Sequence, residues 1–166
     1  ALGEVGLDFY RMQGTAELQQ NLFTRQLKIA QRLNMPVIVH SRDAEEQTLR
    51  VLTDNTPSAG GVIHCYSYSA ETARKFIDLG FFISFAGNVT YKKALTLQEA
   101  AASIPPDKLL IETDAPYLSP ETVRGYKNHP GYIGHTYDFL AELRNIPIQE
   151  LIDGVNSNFR RLFRLS

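Results

Sequence analysis

The sequence of 166 residues contains no tryptophan, two methionines and one cysteine. A single cysteine cannot form an internal disulfide, which excludes a disulfide-stabilised secreted domain and makes a reducing cytoplasm the expected location. No apolar run approaches the roughly 20 residues that a membrane-spanning helix needs, and no stretch resembles a secretory signal. We therefore expect a cytoplasmic protein that makes no contact with a membrane.

An excess of charge of one sign is also lacking. The 17 lysines and arginines nearly balance the 18 aspartates and glutamates, which leaves a formal net charge of −1. Because proteins that bind nucleic acid through a broad basic surface carry a clear positive charge, any recognition of phosphate groups must be local here. Hydrophobic residues make up 43% of the sequence, enough for a single globular domain over residues 1–166 with a substantial core.

Apolar strands alternate with helical segments along the chain. We predict strands near residues 1–7, 36–40, 61–64, 81–85 and 108–112. Helices are predicted near residues 15–34, 43–55, 69–80, 94–103, 135–145 and 148–163. Five successive strand–helix units predict an α/β fold with a parallel sheet and right-handed crossovers.

Local signals support two of these helices. In the first helix, apolar residues recur at helical spacing behind Thr15, a possible N-cap; they are Leu18, Leu22, Ile29 and Leu33. Asp43 and Glu46 have the spacing of a capping box, which predicts that the second helix begins there.

Five strand–helix units are compatible with an open doubly wound sheet or with the last five units of a closed barrel. The chain is too short for a complete (β/α)8 barrel, which needs about 250 residues. We favour a partial TIM barrel of about five units whose first three units are missing, since a curved sheet brings strand ends to one point more readily than a flat sheet. Its two terminal strands would have unpaired edges. Either the polypeptide is a fragment or another chain covers those edges.

One metal-capable side chain stands at the end of each of four predicted strands. These residues are Glu4, His40, His64 and Asp114. The carboxyl ends of parallel barrel strands converge on one mouth, so the four side chains are expected to meet. A lone histidine at a strand end is more often structural, but two imidazoles and two carboxylates at the same end of separate strands predict a hydrolytic metal centre.

Four further residues that could bind a metal are expected to have other roles. Strand alternation places Cys65 on the face opposite His64, where we expect it to pack against a helix. Glu112 shares a face with Asp114, and it either orients a ligand or is polar for a structural reason. Two further histidines are expected to lie on the surface or in a loop; they are His129 and His135.

Several cationic and aromatic residues are candidates for contacts with a substrate. Arg42, Arg124 and Lys127 are the cations best placed to meet phosphate oxygens, although exposed basic residues are often only solvated. Three tyrosines near the strand ends have two interpretations, stacking on a nucleobase or packing in the core or rim; they are Tyr66, Tyr91 and Tyr117.

Several motifs closely resemble those of the TatD family of metal-dependent deoxyribonucleases. They are residues 3–8 (Gly-Glu-Val-Gly-Leu-Asp), 40–44 (His-Ser-Arg-Asp-Ala), 64–67 (His-Cys-Tyr-Ser) and 112–118 (Glu-Thr-Asp-Ala-Pro-Tyr-Leu), with residues 124–130 and 158–163 similar to the late loop and terminal helix of that family. The resemblance covers the whole chain. It implies the carboxyl-terminal portion of an amidohydrolase-type barrel with DNA as its substrate.

The resemblance also implies roles for individual residues. Glu4 would bridge two divalent metal ions, His40 and His64 would bind one of them, and Asp114 would bind the other and accept a proton, which makes Glu4 and Asp114 the catalytic residues. The ions would be Mg, Mn or Zn, and a metal-activated water would cleave the phosphodiester bond. The family's Asp-x-His-x-His strand has no counterpart here, so about 90 residues would be missing at about 30 per unit. Tyr68 stands where glycine is usual, and His129 where glutamate is more frequent.

Three functional hypotheses remain open from the sequence. The first is a metal-dependent deoxyribonuclease. The second keeps the barrel but acts on a small amide, ester or lactone. The third is an inactive partial barrel that needs a partner chain, because without the Asp-x-His-x-His strand one metal position lacks ligands.

Overall fold

The computed structural model describes residues 1–165, which form a five-stranded sheet flanked by helices. The strands are β1 (Leu2–Asp8), β2 (Val37–Arg42), β3 (Gly61–Ile63), β4 (Phe81–Phe85) and β5 (Leu109–Ile111). The helices are α1 (Ala16–Arg32), α2 (Glu45–Asp54), α3 (Ala70–Asp78), α4 (Leu95–Ser103), α5 (Ile133–Arg144) and α6 (Ile148–Phe163). Ser166, the last residue of the predicted domain, lies outside the described residues.

The strands lie side by side in chain order, and every neighbouring pair is parallel. The predicted α/β fold with a parallel sheet is therefore confirmed. A doubly wound sheet reverses its strand order at a switch point, and the order β1-β2-β3-β4-β5 contains no such reversal among the described strands. Because all strands run the same way, their carboxyl ends form one edge of the sheet.

Of the two helix caps predicted from the sequence, one is present and one is wrong. The Thr15 hydroxyl accepts the backbone N–H of Leu18 at 3.2 Å, which fixes the start of α1. Ser69 caps α3 in the same way through Thr72. The capping box expected at Asp43 does not form, because α2 begins after Ala44 and Asp43 has a φ of +50° that turns its side chain out of the cap position.

Helix α1 is apolar on two faces. The buried face consists of Phe23, Leu27 and Ala30, which pack into the core. The apolar residues whose spacing predicted the helix lie on the other face, with 38–63% of their surface exposed; they are Leu18, Leu22, Ile29 and Leu33. We call these four residues the outer stripe of α1.

Side chains along β1 and β2 alternate between two faces of the sheet. Val5 and Leu7 are buried, as are Val37, Val39 and Ser41. The intervening residues of both strands remain accessible, and they include Glu4, Asp8, His40 and Arg42. Since successive residues of a strand point to opposite faces, the polar side chains of the two strands share one face.

The core lies where the helices cover the sheet. All five residues of β4 are buried, as expected for a central strand covered on both faces. The largest fully buried side chains of the core include Phe23, Phe76, Phe81, Phe85 and Tyr66. Within residues 1–165, every helix is too short or too polar to cross a membrane.

Gly6 determines how closely β1 approaches β2. It pairs with His40 across the two strands and has a φ of +148°. A Cβ atom at this position would lie only 1.9 Å from the His40 carbonyl oxygen. Only glycine permits this approach, and the approach places Glu4 and Asp8 on either side of the His40 ring.

We expect Gly6→Ala to lower the free energy of unfolding by more than about 2 kcal/mol, because the added Cβ would collide with backbone at a φ that side chains rarely adopt. The matched control is Gly134→Ala, since a Cβ there meets nothing within 4 Å and alanine favours the helix. Urea unfolding at 25 °C measures both variants. Equal stability of the two would contradict the close approach of the strands.

Candidate metal centre

Three metal-capable side chains meet at the carboxyl ends of β1, β2 and β3. Glu4 lies in β1, His40 in β2, and His64 directly after β3. Glu4 Oε1 is 2.7 Å from His40 Nδ1 and 3.0 Å from His64 Nε2, and the two ring nitrogens are 3.3 Å apart. One carboxylate oxygen and two imidazole nitrogens therefore face a common point. We call these three residues the inner cluster.

Each histidine of the inner cluster contacts a second carboxylate through its other ring nitrogen. His40 Nε2 lies 3.4 Å from Asp8 Oδ2. His64 Nδ1–H donates to Glu112 Oε1 at 2.9 Å, and the same oxygen accepts the backbone N–H of Cys65 at 3.1 Å. Outer carboxylates of this kind fix the ring orientation of metal-ligating histidines. Of the two interpretations open for Glu112, this contact favours the orientation of His64.

The electrostatics of the inner cluster favour a positive charge between its side chains. Hydrogen bonds from His40 and His64 hold the pKa of Glu4 far below its usual range, against the effect of burial. Burial lowers the pKa of His64, but hydrogen bonds to Glu112 and Glu4 outweigh it and raise this pKa to about 10. The carboxylates therefore stabilise a proton on His64, and they would stabilise a cation in its place.

Asp114 forms a second group with His64 and Glu112. The ligand atoms of these three residues all lie within 4.8 Å of one another. Strand β5 ends at Ile111, and Asp114 itself has a φ of +53°. Burial raises the pKa of the Asp114 carboxyl above its ordinary value. All four residues predicted as metal ligands thus lie at one edge of the sheet, in two groups that share His64.

The donor atoms of the inner cluster fit a divalent cation. Imidazole nitrogen and carboxylate oxygen are ligands that Zn, Mn and Mg sites use in different proportions. Ligand atoms bound at 2.0–2.1 Å in a tetrahedral site lie about 3.3 Å from one another. The separations of 2.7, 3.0 and 3.3 Å within the cluster are close to this spacing. Small side-chain rotations would suffice to admit an ion.

The two groups open into a cavity of about 490 Å³ at the carboxyl edge of the sheet. Its wall contains polar residues from the ends of all five strands and the loops that follow them. The lining residues are Glu4, Asp8, Arg11, His40, Ser41, Arg42, His64, Cys65, Ser67, Asn88, Asp114, Tyr117 and Leu118. The volume is within the range of pockets that bind small organic ligands.

The position expected for Cys65 is wrong. Strand β3 ends at Ile63, and Cys65 has a φ of +46°, so the strand alternation used for the prediction does not extend to it. Its sulfur lines the cavity 3.9 Å from Asp114 Oδ2 instead of packing against a helix. Burial raises the pKa of the thiol, which keeps Cys65 protonated near neutral pH.

Of the three cations predicted to bind substrate, the structure brings only Arg42 to the cavity, where its guanidinium lies 3.9 Å over the Tyr10 ring. Arg124 pairs with Glu121 at 3.1 Å outside the lining. Lys127 is exposed in the same loop and is also absent from the lining within residues 1–165.

The aromatic residues divide between the core and the rim. Tyr66 is fully buried and donates its hydroxyl to the Ser69 carbonyl oxygen at 2.5 Å, so it packs in the core. Tyr91 is half-buried beneath the Arg124 guanidinium. Tyr117 is exposed at the cavity. His129 is exposed in the late loop, as expected for a loop histidine.

The cavity residues that the sequence analysis did not assign to the site include Asp8, Arg11 and Asn88. Asp8 carried a usable signal, because it shares the period-two face of Glu4 at the end of β1. Arg11 follows β1 in a loop without periodicity, and Asn88 lies in the 3-10 turn Gly87–Thr90 after β4. Nothing in their sequence context distinguishes these two from other polar loop residues.

The family described as TatD related DNase matches residues 1–164. The uncharacterized metal-dependent hydrolase YcfH of Escherichia coli (strain K12) is 44% identical over 166 residues, which cover 99% of this chain and 63% of YcfH. The uncharacterized metal-dependent hydrolase YabD of Bacillus subtilis (strain 168) is 38% identical over 100% of this chain and 66% of YabD. The crystal structure of YjjV, a TatD homologue from Escherichia coli K12, has a TM-score of 0.93 and 34% identity, and the match covers 100% of this chain and 64% of YjjV.

The matches extend over essentially the whole chain, which spans slightly less than two thirds of the length of these relatives. The family that the sequence motifs indicated is confirmed independently by the family match, the relatives and the fold. This chain belongs to the TatD family.

Proposed function

We propose that this chain is the metal-binding portion of a deoxyribonuclease that hydrolyses phosphodiester bonds. The observation that carries the proposal is the double contact of each inner-cluster histidine, with Glu4 on one ring nitrogen and an outer carboxylate on the other. A histidine with a purely structural role does not require a carboxylate on both ring nitrogens. Histidines that bind a metal commonly contact a carboxylate through the nitrogen that does not face the metal. Membership of a family described as TatD related DNase supports the choice of DNA.

Two divalent ions, Mg, Mn or Zn, are the proposed cofactors. His40 and His64 would hold one ion, Asp114 would hold the other, and Glu4 would contribute to both. When bound, such ions supply an activated water and neutralise charge on the phosphate group. Glu4 is kept ionised by its hydrogen bonds, so its carboxylate is available as a ligand across the neutral pH range.

Side chains of the cavity carry out the remaining steps of the proposed reaction. Asp114 accepts the proton of the attacking water, and its pKa, raised by burial, suits a general base better than that of an exposed carboxylate. Glu112 holds the His64 ring in place. Arg42 lines the cavity and offers a guanidinium to a phosphate oxygen; Arg124 and Lys127 remain proposed contacts for longer DNA.

The proposed architecture is a partial (β/α)8 barrel. Glu4 on β1 reaches His64 after β3 at 3.0 Å, although strands two apart in a flat sheet are about 9.5 Å from each other, which supports a strongly curved sheet. The outer stripe of α1 and the free edge of β1 supply a surface for further family structure or for another chain. The relatives extend beyond the matched region by more than a third of their length. A reducing cytoplasm remains the proposed location.

Metal binding is expected to release a proton from His64, whose pKa of about 10 keeps it protonated at pH 7. Because a ligand must be deprotonated, apparent affinity should rise about tenfold per pH unit between pH 6 and 8 for one displaced proton. Calorimetric titration with Mn²⁺ in two buffers of different ionisation enthalpy measures the release. Heats that do not depend on the buffer would contradict it.

Glu112→Gln is expected to weaken Mn²⁺ binding by about 10- to 100-fold, the usual loss when the outer carboxylate of a histidine ligand is removed. The control is Glu99→Gln, which changes the charge equally at an exposed position on α4. Titration calorimetry at pH 7 compares both with the wild type. Unchanged affinity in Glu112→Gln would show that the contact with His64 is only structural.

Cleavage of a DNA oligonucleotide should require a divalent ion and stop on addition of chelator. Asp114→Asn is expected to lower the rate by at least about 100-fold, because general base catalysis contributes that much, while Asp54→Asn at an exposed end of α2 retains it. The assay uses the chain alone and a fusion in which the part of YcfH outside the match precedes it.

Two results would reject the deoxyribonuclease. One is DNA cleavage that chelator does not affect. The other is hydrolysis of amides, esters or lactones in a substrate panel without any phosphodiester cleavage, which would assign a small-molecule hydrolase. If the fusion cleaves DNA and the isolated chain does not, the result would support the need for a partner.

A further inference from the structure

The far wall of the cavity contains two residues that the proposed reaction does not use. Asn88 follows β4 and Tyr117 follows β5, and both line the cavity. We call this pair the far wall. Arg11 follows β1 and Arg42 ends β2, at the other end of the sheet order. The inner cluster lies between the two ends, so a ligand that spans the cavity meets guanidinium groups on one side and an amide with a ring on the other.

The turn that presents Asn88 is held from several directions. Gly87 packs so tightly that a Cβ there would lie 2.2 Å from the Leu118 carbonyl oxygen. The Thr90 hydroxyl donates to the Gly87 carbonyl oxygen and accepts the backbone N–H of Glu121 at 2.7 Å. Gln98 donates to the carbonyl oxygens on either side of Thr90. The backbone at Asn88 is therefore held in place before any ligand binds.

Asn88 nevertheless has an unused hydrogen-bonding group. Its Oδ1 atom is buried and has no hydrogen-bond partner within residues 1–165. Buried side-chain oxygens are normally paired, and an exception needs an explanation. Asn88 also lines the cavity, and rotation of its amide would turn this oxygen toward a ligand there that carries an N–H group. The other half of the amide would offer donors to the same ligand.

Tyr117 is also held in place, although 61% of its surface is exposed. The Asn128 amide donates to the backbone carbonyl oxygens of Thr113 and Tyr117 at 2.7 and 2.5 Å. The Tyr117 backbone N–H donates to the Asp114 carbonyl oxygen at 2.9 Å. The backbone of Tyr117 is thus held three residues after the proposed general base, and its exposed side chain lines the cavity.

We propose that the far wall binds the nucleobase of the nucleotide whose phosphate lies at the inner cluster. This proposal rests on the proposed phosphodiester substrate and adds what recognises it. The Tyr117 ring stacks on the face of the base, which every base offers. The Asn88 amide pairs with an edge that carries an adjacent donor and acceptor, as adenine does at N6 and N7. A phosphate bound to a sugar alone leaves both residues unused.

The test compares the binding of deoxyadenosine 5′-monophosphate with that of deoxyribose 5-phosphate, which lacks the base. Calorimetric titration in the presence of Mn²⁺ measures both, independently of any hydrolysis. The nucleotide is expected to bind the wild-type chain about tenfold more tightly or better, the contribution of one stacked base. Equal affinities would overturn the proposal.

Variants separate the two contacts. Tyr117→Leu should remove most of the preference for the nucleotide, and Tyr117→Phe should retain it. Asn88→Leu should weaken nucleotide binding at least about fivefold and leave the affinity for deoxyribose 5-phosphate unchanged, which also shows that the variant is folded. Tyr126→Leu alters another exposed tyrosine, which lies outside the lining, and serves as the control. A preference that survives both Tyr117→Leu and Asn88→Leu would place base recognition elsewhere and overturn the proposal.

The outcome is distinguishable from that of the proposed reaction. Base-dependent binding without phosphodiester cleavage would reject the deoxyribonuclease and keep the far wall as a nucleobase site. Metal-dependent cleavage of DNA with equal binding of the nucleotide and the sugar phosphate would keep the reaction and reject the nucleobase site.

Discussion

The arrangement of this site depends on one constraint: two imidazole rings are each held between two carboxylates. Glu4 lies on the inner side of both rings, and Asp8 and Glu112 lie on the outer sides. Carboxylates so close together repel one another unless positive charge lies among them. The protonated ring of His64 supplies part of that charge, and the same electrostatic demand explains why the site is suited to divalent cations.

The sequence predicted this site as far as regular strand geometry applies. Period-two alternation in β1 and β2 correctly placed Glu4 and His40 on one face, and the chain order of the strands followed from five repeated units. Alternation failed at Cys65, because β3 ends two residues earlier and the backbone turns to a positive φ. That turn is stabilised by a hydrogen bond from the Cys65 backbone N–H to Glu112, 47 residues away. The residues around Cys65 do not indicate so distant a partner.

Helix α1 illustrates a second limit of sequence patterns. Its apolar residues predict a helix correctly, but two apolar faces satisfy the same periodicity, and the sequence does not distinguish the face that packs on the sheet from the outer stripe. The capping box at Asp43 failed for a related reason, since the backbone there follows the path from β2 into α2 and not the local propensity. In both cases tertiary packing decides what the local pattern leaves open or favours differently.

The contacts of His64 cross the sheet instead of following it. Glu4 reaches His64 past β2, and Glu112 reaches it past β4. These side chains therefore link strands that share no backbone hydrogen bonds with one another. A change that moves β1 or β5 relative to β3 would separate these side chains even if every neighbouring strand pair stayed intact. The contacts of His64 thus depend on the alignment of strands that are not neighbours.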